Sequence, residues 1–339
     1  MKVLITGGAG FIGCNIANHH IKQGDGVIVI DNLSRPGSEK NLKWLKQQGR
    51  PEFIKQDIVN YKGLKGAIAA HKKLDIIYHM AAQVAVTTSV SEPREDFEIN
   101  AIGTFNLLEV VRELKINPVI IYASTNKVYG EMTDLRIMER DGRYQYADLK
   151  NGIPETRQLD FHSPYGCSKG SADQYMVDYA RIYGLNTVTM RQSCIYGPRQ
   201  MGHEDQGWVA HFAICAALNR PLTIYGDGKQ VRDILFIDDL IEAFNLSCKN
   251  IDRVKGMAFN IGGAVANQLS LLELVSMLEE KLNKKLVIDY APWRPGDQKI
   301  FVSDITKAQN ILGWKPKVSK QEGITRLISW VQENKEIFG

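Results

Sequence analysis

The sequence predicts an α/β fold built on a doubly wound parallel sheet, the Rossmann architecture, with a smaller C-terminal lobe. Three observations lead there. Short β-rich runs alternate with stretches of helical period, a glycine-rich turn joins the first run to the first helical stretch, and 339 residues exceed what one hydrophobic core usually supports.

The β-rich runs fall at residues 2–5, 27–30, 53–55, 75–79 and 119–123. Helix-forming stretches separate them, as in a parallel sheet covered on both faces. A further helix is expected over 165–183, leading into a strand at 187–191, and these units complete a doubly wound domain over 1–196. After Gly197 the alternation loosens, and Pro198, Pro221, Gly226, Gly228, Pro292, Pro295 and Gly296 mark turns. The smaller lobe is placed at 197–339, with a return of 236–262 to the first domain left open. The polar stretch 131–162 shows no secondary structure of its own. A connection that long is either a lid or a plain surface insertion.

Lysine and arginine total 42 against 38 acids, and the excess is not gathered into a basic run. Nucleic acid is therefore excluded as an expected partner, although a few placed arginines could still hold a phosphate. The five cysteines form no C-x-x-C pair and read as free thiols in a reducing compartment. His19 and His20 are adjacent and cannot share a helical face, so no metal site is expected. The chain opens MKVLITGGAG, already a strand and a turn, and no apolar run reaches the length of a membrane span. A soluble, cytoplasmic protein without a membrane partner is the expectation.

Gly7, Gly10 and Gly13, with Phe11 and Ile12 between them, follow the first strand and open a helix. Glycines there let backbone amides approach a pyrophosphate at the positive helix end. Asp31 closes the second strand, where a carboxylate binds ribose hydroxyls and repels a 2′-phosphate, so NAD is favoured over NADP. Arg35, four residues on, softens that preference. Asp57 is either an adenine contact or a surface cap.

Tyr165 and Lys169 stand at i and i+4 on one helical face. A free phenol titrates near pH 10, and lowering it by about three pH units takes roughly 4 kcal/mol. An ammonium one turn away and an oxidised nicotinamide have the right sign to do so. Tyr165 would then be the general base on a hydroxyl whose carbon loses hydride.

Taken together, GGAGFIG, Asp31, the HMAAQ run, Asn100 with GTFNLLE, Tyr165 with Lys169, RQSCIYGPRQ, GDGKQVRD and RPGDQ resemble the extended short-chain dehydrogenase/reductase family acting on nucleotide sugars. The resemblance spans nearly the whole chain. It implies bound NAD, a C-terminal lobe for a nucleoside diphosphate sugar, and Thr125 as the hydroxyl that bonds the reacting oxygen. It also implies that Lys169 holds the nicotinamide ribose. Further cofactor contacts implied are Asn32, Ser34 and Arg35, Asp57 with Ile58, Ala81, Ala82 and Gln83, then Asn100, Ser124 and Gln192. Arg232 and Arg294 fall in segments similar to the family's diphosphate-binding positions, which suits paired guanidinium donors. Tyr225 either lies along the nucleotide or packs in the core. The helices near 97–114 and 165–183 look like the pair that dimerises the family, so a homodimer or homotetramer is expected.

Within such a family the run STNKVYG, from Ser124 to Gly130, separates the reactions. Eliminating water needs an acid and a base beside the threonine, and the positions that would carry them hold Asn126 and Lys127. That pair is similar instead to a subgroup that inverts C2 of CDP-sugars by oxidation to a ketone and hydride return. Direct substrate contact and a plain turn with a surface charge both remain open for Asn126 and Lys127. Cys194 stands where 4-epimerases commonly carry asparagine, which implies a differently seated sugar or only a small buried residue. A C2 epimerase preferring CDP-sugars leads, with a UDP-sugar 4-epimerase next, then a 4,6-dehydratase and a non-catalytic NAD sensor.

Overall fold

The computed structural model describes every residue except Lys72, Pro295 and Gly339. The Pro295 turn expected from sequence therefore lies outside the described residues. The chain forms two compact units, one of residues 1–128, 163–191 and 243–259, the other of 129–162, 192–242 and 260–339.

In the first unit the five expected strands are β1 (Lys2–Thr6), β2 (Gly26–Asp31), β3 (Glu52–Lys55), β4 (Ile76–His79) and β5 (Val119–Thr125). They pair in parallel, with Val3 against Val27 on one side and Ile76 on the other. Between them lie α1 (Phe11–Lys22), α2 (Ser38–Gln48), α3 (Tyr61–Ala69), α4 (Val86–Ser91), α5 (Pro93–Phe97) and α6 (Gly103–Glu113). A single π-helical turn, Glu98–Ile102, joins α5 to α6. Two more strands, 187–192 and 258–261, complete a seven-stranded sheet in which β3 is one edge, β1 lies between β2 and β4, and β5 follows β4. Strand order reverses between β1 and β4, and such a switch point is where doubly wound sheets bind ligands. Leu4, Ile28, Ile30, Ile77 and Ile120 bury one sheet face against Leu64, Leu107, Val111 and Met176 of the helices. Burying each such side chain is worth roughly 1.5–3 kcal/mol. The helix carrying Tyr165 is α7 (Ser163–Tyr183).

The second unit holds a small sheet in which Val231–Phe236 pairs with 194–196, 268–270 and 300–301. The stretch 131–162 is not structureless. It carries an antiparallel hairpin, β6 (Ile137–Arg140) and β7 (Arg143–Tyr146), closed by Asp141 at φ 53° and Gly142 at φ 74°. Both central residues have positive φ, as a type I′ turn requires, and Asp-Gly is the pair that adopts it most readily. Ile137, Tyr144 and Tyr146 pack on Val231, Ile300 and Val302, and the Tyr144 hydroxyl donates to Asp227 at 2.6 Å. Alternating apolar residues hidden among charges are what give this hairpin its buried face.

Candidate active site

Gly7 adopts φ 66°, and a Cβ there would lie 2.6 Å from the Ala81 nitrogen. A Cβ on Gly13 would run into the Gly7 carbonyl. Both positions need glycine because the turn after β1 is pressed between α1 and the end of β4. Gly10 is the N-cap of α1 and makes no side-chain cap bond, so the first turn at Phe11, Ile12 and Gly13 starts without help from its own cap residue. Amides left in this state at a helix start suit an anion.

The Asp31 carboxylate accepts the Ala9 amide at 3.0 Å and the Leu33 amide at 2.8 Å. Burial pushes its pKa up, against those two bonds and the Arg35 charge. Burial likewise pulls Arg35 down, while Tyr165 and Asp31 oppose the shift. Asn32 donates to Asp57 at 2.8 Å and accepts the Ser34 amide at 3.0 Å, linking three of the expected contacts. Ile58 is buried, while Ala81 and Ala82 are half-buried. Asn100 accepts the Gln83 amide at 2.9 Å, and the Gln83 side chain closes on Ala85. The Ser124 hydroxyl donates to Asp173 at 2.7 Å, inside the protein. Gln192, at the end of strand 187–192, is buried, and its Nε2 has no hydrogen-bond partner among the described residues. A buried amide in that state calls for a ligand or a water.

On α7 the Tyr165 backbone amide donates to Ser89 Oγ at 3.1 Å, and the Thr125 hydroxyl favours the ionised form of its phenol. Thr125 Oγ1 also accepts the Lys127 amide at 3.2 Å and lies 3.3 Å from Asn126 Oδ1. Asn126 is buried and Lys127 half-buried. Burial raises the Tyr165 phenol to about 12, Asp96 adds to the rise, and Thr125 and Arg35 work against it. In the protein alone desolvation outweighs the Arg35 charge; the expected depression combines Lys169 with an oxidised nicotinamide. Lys169 donates to the Ala123 carbonyl at 2.6 Å, with its Nζ 4.3 Å from the Tyr122 ring centre. Burial pulls Lys169 down to about 7, with Asp173 and Asp96 opposing.

Sequence reasoning missed the residues that support this pair. Ser89 holds the first turn of α7. Asp173 receives Arg191 through Nε at 3.0 Å and Nη2 at 2.9 Å, besides Ser124. Asp96 and Ser168 bond one another out of solvent. Only Ser168 and Asp173, near Lys169 on α7, had any sequence signal.

In the second unit, the Arg294 guanidinium lies 3.7 Å from the Tyr225 ring centre and donates to the Glu204 carbonyl at 2.9 Å. Its other edge meets Asp205 at 3.3 Å, and the Tyr225 hydroxyl donates to Glu204 at 2.8 Å. Arg232 is buried and pairs with Asp297 at 2.7 Å. Cys194 Sγ lies 3.4 Å from Trp208 Nε1. The structure thus joins Arg294 to Tyr225, and each arginine also meets a carboxylate, Asp205 for Arg294 and Asp297 for Arg232.

A sheet of this order, a glycine turn answered by Asp31, and a Tyr-x-x-x-Lys helix whose phenol meets a threonine hydroxyl define an extended short-chain dehydrogenase/reductase. The profile of the GDP-mannose 4,6 dehydratase family matches residues 4–327, and the chain belongs to that family. It is 49% identical over 335 residues to CDP-paratose 2-epimerase of Salmonella typhi, covering 97% of this chain and 99% of the relative. Among solved structures it resembles UDP-glucose 4-epimerase of Thermotoga maritima with UDP-glucose, at TM-score 0.85 and 33% identity, covering 99% of this chain and 100% of the other. The Thermus thermophilus UDP-glucose 4-epimerase in complex with NAD matches at TM-score 0.82 and 31% identity, covering 98% and 100%.

Proposed function

We propose that this chain is an NAD-dependent epimerase that inverts C2 of a nucleoside-diphosphate sugar, converting CDP-paratose to CDP-tyvelose. The observation that carries this reading is the turn after β5. It presents Thr125, Asn126 and Lys127 and no carboxylate, in a chain 49% identical over nearly full length to a CDP-paratose 2-epimerase.

The first unit is read as the cofactor domain and the second as the lobe for the nucleotide sugar. The uncapped start of α1 and the close turn at Gly7 and Gly13 fit a dinucleotide pyrophosphate, and Asp31 fits its ribose. Asn32, Ser34, Arg35, Asp57 and Ile58 extend that contact toward the base. Ala81, Ala82, Gln83, Asn100 and the orphaned Gln192 amide serve the other half. Bound NAD supplies a hydride acceptor that returns the hydride, and a positive charge beside the phenol.

Tyr165 removes the proton from the C2 hydroxyl and later gives it back, so no net oxidation occurs. Thr125 donates to the same oxygen, and Lys169 supplies the charge that stabilises the phenolate. Ser124 acts one step removed, by tying β5 to Asp173. Asn126 and Lys127 contact the sugar without offering an acid for dehydration. Arg294 and Arg232 hold the diphosphate, with Tyr225 along the nucleotide and Cys194 beside the sugar.

The enzyme is read as a cytoplasmic homodimer or homotetramer. No helix among the described residues is long and apolar enough to cross a membrane. Phe97, Ile102 and Phe105 beside α6, with Tyr175, Ile182 and Tyr183 on α7, leave large apolar side chains exposed for a second copy.

Incubation with CDP-, UDP- and ADP-sugars in heavy water, read by NMR, tests the reading. Inversion at C2 without solvent deuterium is expected. Inversion at C4 would replace it with the UDP-sugar 4-epimerase reading, and deuterium at C6 with loss of water would replace it with a dehydratase.

A further inference from the structure

Two buried carboxylates flank Tyr165 and Lys169, Asp173 on α7 itself and Asp96 on α5, and they are matched differently. Asp173 faces the fork of Arg191, which meets both of its oxygens, and this compensates its charge. Asp96 is equally buried, yet it is held by neutral donors: Ser168 Oγ on one oxygen and Asn100 Nδ2 on the other, at 3.1 Å.

The geometry is specific to the fold. Asp96 comes from α5 and Asn100 from the π-helical turn that follows, a wider turn often found at functional sites. Asn100 Nδ2 lies 3.1 Å from Ser168 Oγ as well, and Ser168 Oγ lies 3.2 Å from the Tyr165 carbonyl. Ser168 is the residue before Lys169. The three side chains therefore close on the backbone turn that separates the phenol from the ammonium.

Lys169 sits in a seat that is otherwise neutral near its Nζ, made of the Ala123 carbonyl and the Tyr122 ring. A buried ammonium in such a seat needs an opposite charge to remain protonated. Asp173 and Asp96 both supply one, but Asp173 is shared with the Arg191 fork, whereas the hydrogen bonds on Asp96 come from neutral donors. We propose that Asp96 is a positioning residue of the catalytic pair: through Ser168 and Asn100 it fixes the first turn of α7, and its charge adds to that of Asp173 in favouring Lys169 as an ammonium. The proposal rests on Tyr165 and Lys169 having the roles given above.

The charged and titratable groups facing this pair are few. Asp173 and Asp96 act on Lys169, Arg35 and Asp96 act on Tyr165, and His79 and Tyr122 are buried and neutral. Both carboxylates favour protonated Lys169, and Asp96 also favours protonated Tyr165. Removing the Asp96 charge therefore moves both titrations toward acid.

Asp96→Asn keeps the side chain's shape and removes its charge. In the protein as purified, with its own cofactor and lysines labelled with carbon-13 at Cε, the Lys169 signal is assigned by its loss in Lys169→Arg. Its titration midpoint is expected to fall by about one pH unit in Asp96→Asn. Both limbs of the kcat profile should move the same way. An unmoved midpoint overturns the proposal, whatever happens to kcat. Should Asp96→Asn not fold, Ser168→Ala removes the hydrogen bond and leaves the charge. It should lower kcat while the Lys169 midpoint stays or rises, and a fall there overturns the proposal. The NMR titration needs no sugar, so it stands or fails apart from the epimerase reading.

Discussion

Tyr165→Phe is the sharpest test of the catalytic assignment, because the structure separates what the hydroxyl does for folding from what it does for chemistry. The ring is buried, and α7 is started by the Ser89 bond to the Tyr165 backbone amide, which phenylalanine keeps. The variant loses the polar interaction of the phenol with Thr125, which is worth no more than about 1 kcal/mol of stability. Turnover should suffer far more. A phenol held at about 12 is ionised in roughly one molecule in 100,000 at pH 7. Bringing it to neutrality takes about 7 kcal/mol, at about 1.4 kcal/mol per pH unit. Thr125 and Arg35 oppose the rise without cancelling it, and the proposed mechanism assigns the remaining positive charge to Lys169 and bound NAD. Loss of a general base typically costs about 10²–10⁴-fold. The assay is epimerisation of a CDP-sugar followed by NMR, alongside cofactor content and a thermal melt. Phenylalanine should leave the bound cofactor and the melt nearly intact and remove most of kcat. Turnover within about tenfold of the parent, with cofactor bound, would refute the assignment.

Three further outcomes follow from the geometry. Arg191→Met strands the buried Asp173 charge and should cost about 3–5 kcal/mol in urea unfolding; a loss below about 1 kcal/mol would show that the pair is not what compensates Asp173. His79 is held neutral by burial, with its pKa lowered to about 3, so the unfolded chain takes up that proton first as pH falls below about 6.5. Its contribution to stability is thus present above about 6.5 and is lost toward pH 3, by about 1.4 kcal/mol per pH unit. His79→Asn should flatten that part of the stability profile, and equal slopes in urea midpoints between pH 6 and 4 would refute it. Arg294→Lys keeps the charge but loses the flat contact with Tyr225 and the paired donors. CDP binding by calorimetry should weaken by about tenfold, and an unchanged affinity would remove Arg294 from the diphosphate site.

Sequence alone determined the doubly wound sheet, since it depends on local signals: strand and helix periods, the glycine turn after β1, and Asp31 closing β2. It also placed Tyr165 and Lys169 on one helical face, because i and i+4 are neighbours in any α-helix. The hairpin at 137–146 was legible in principle through Asp141-Gly142, but its apolar residues are diluted by charges and only their packing on Val231 and Ile300 shows which face is buried. Charge states were decided by the tertiary structure alone. Desolvation depends on every atom around a group, and those atoms come from distant segments: Asp96 meets Ser168 across 72 residues of chain, and Ser124 meets Asp173 across 49. That is why sequence, which put Lys169 one turn from the Tyr165 phenol, could not show that burial works against the charged form of both groups.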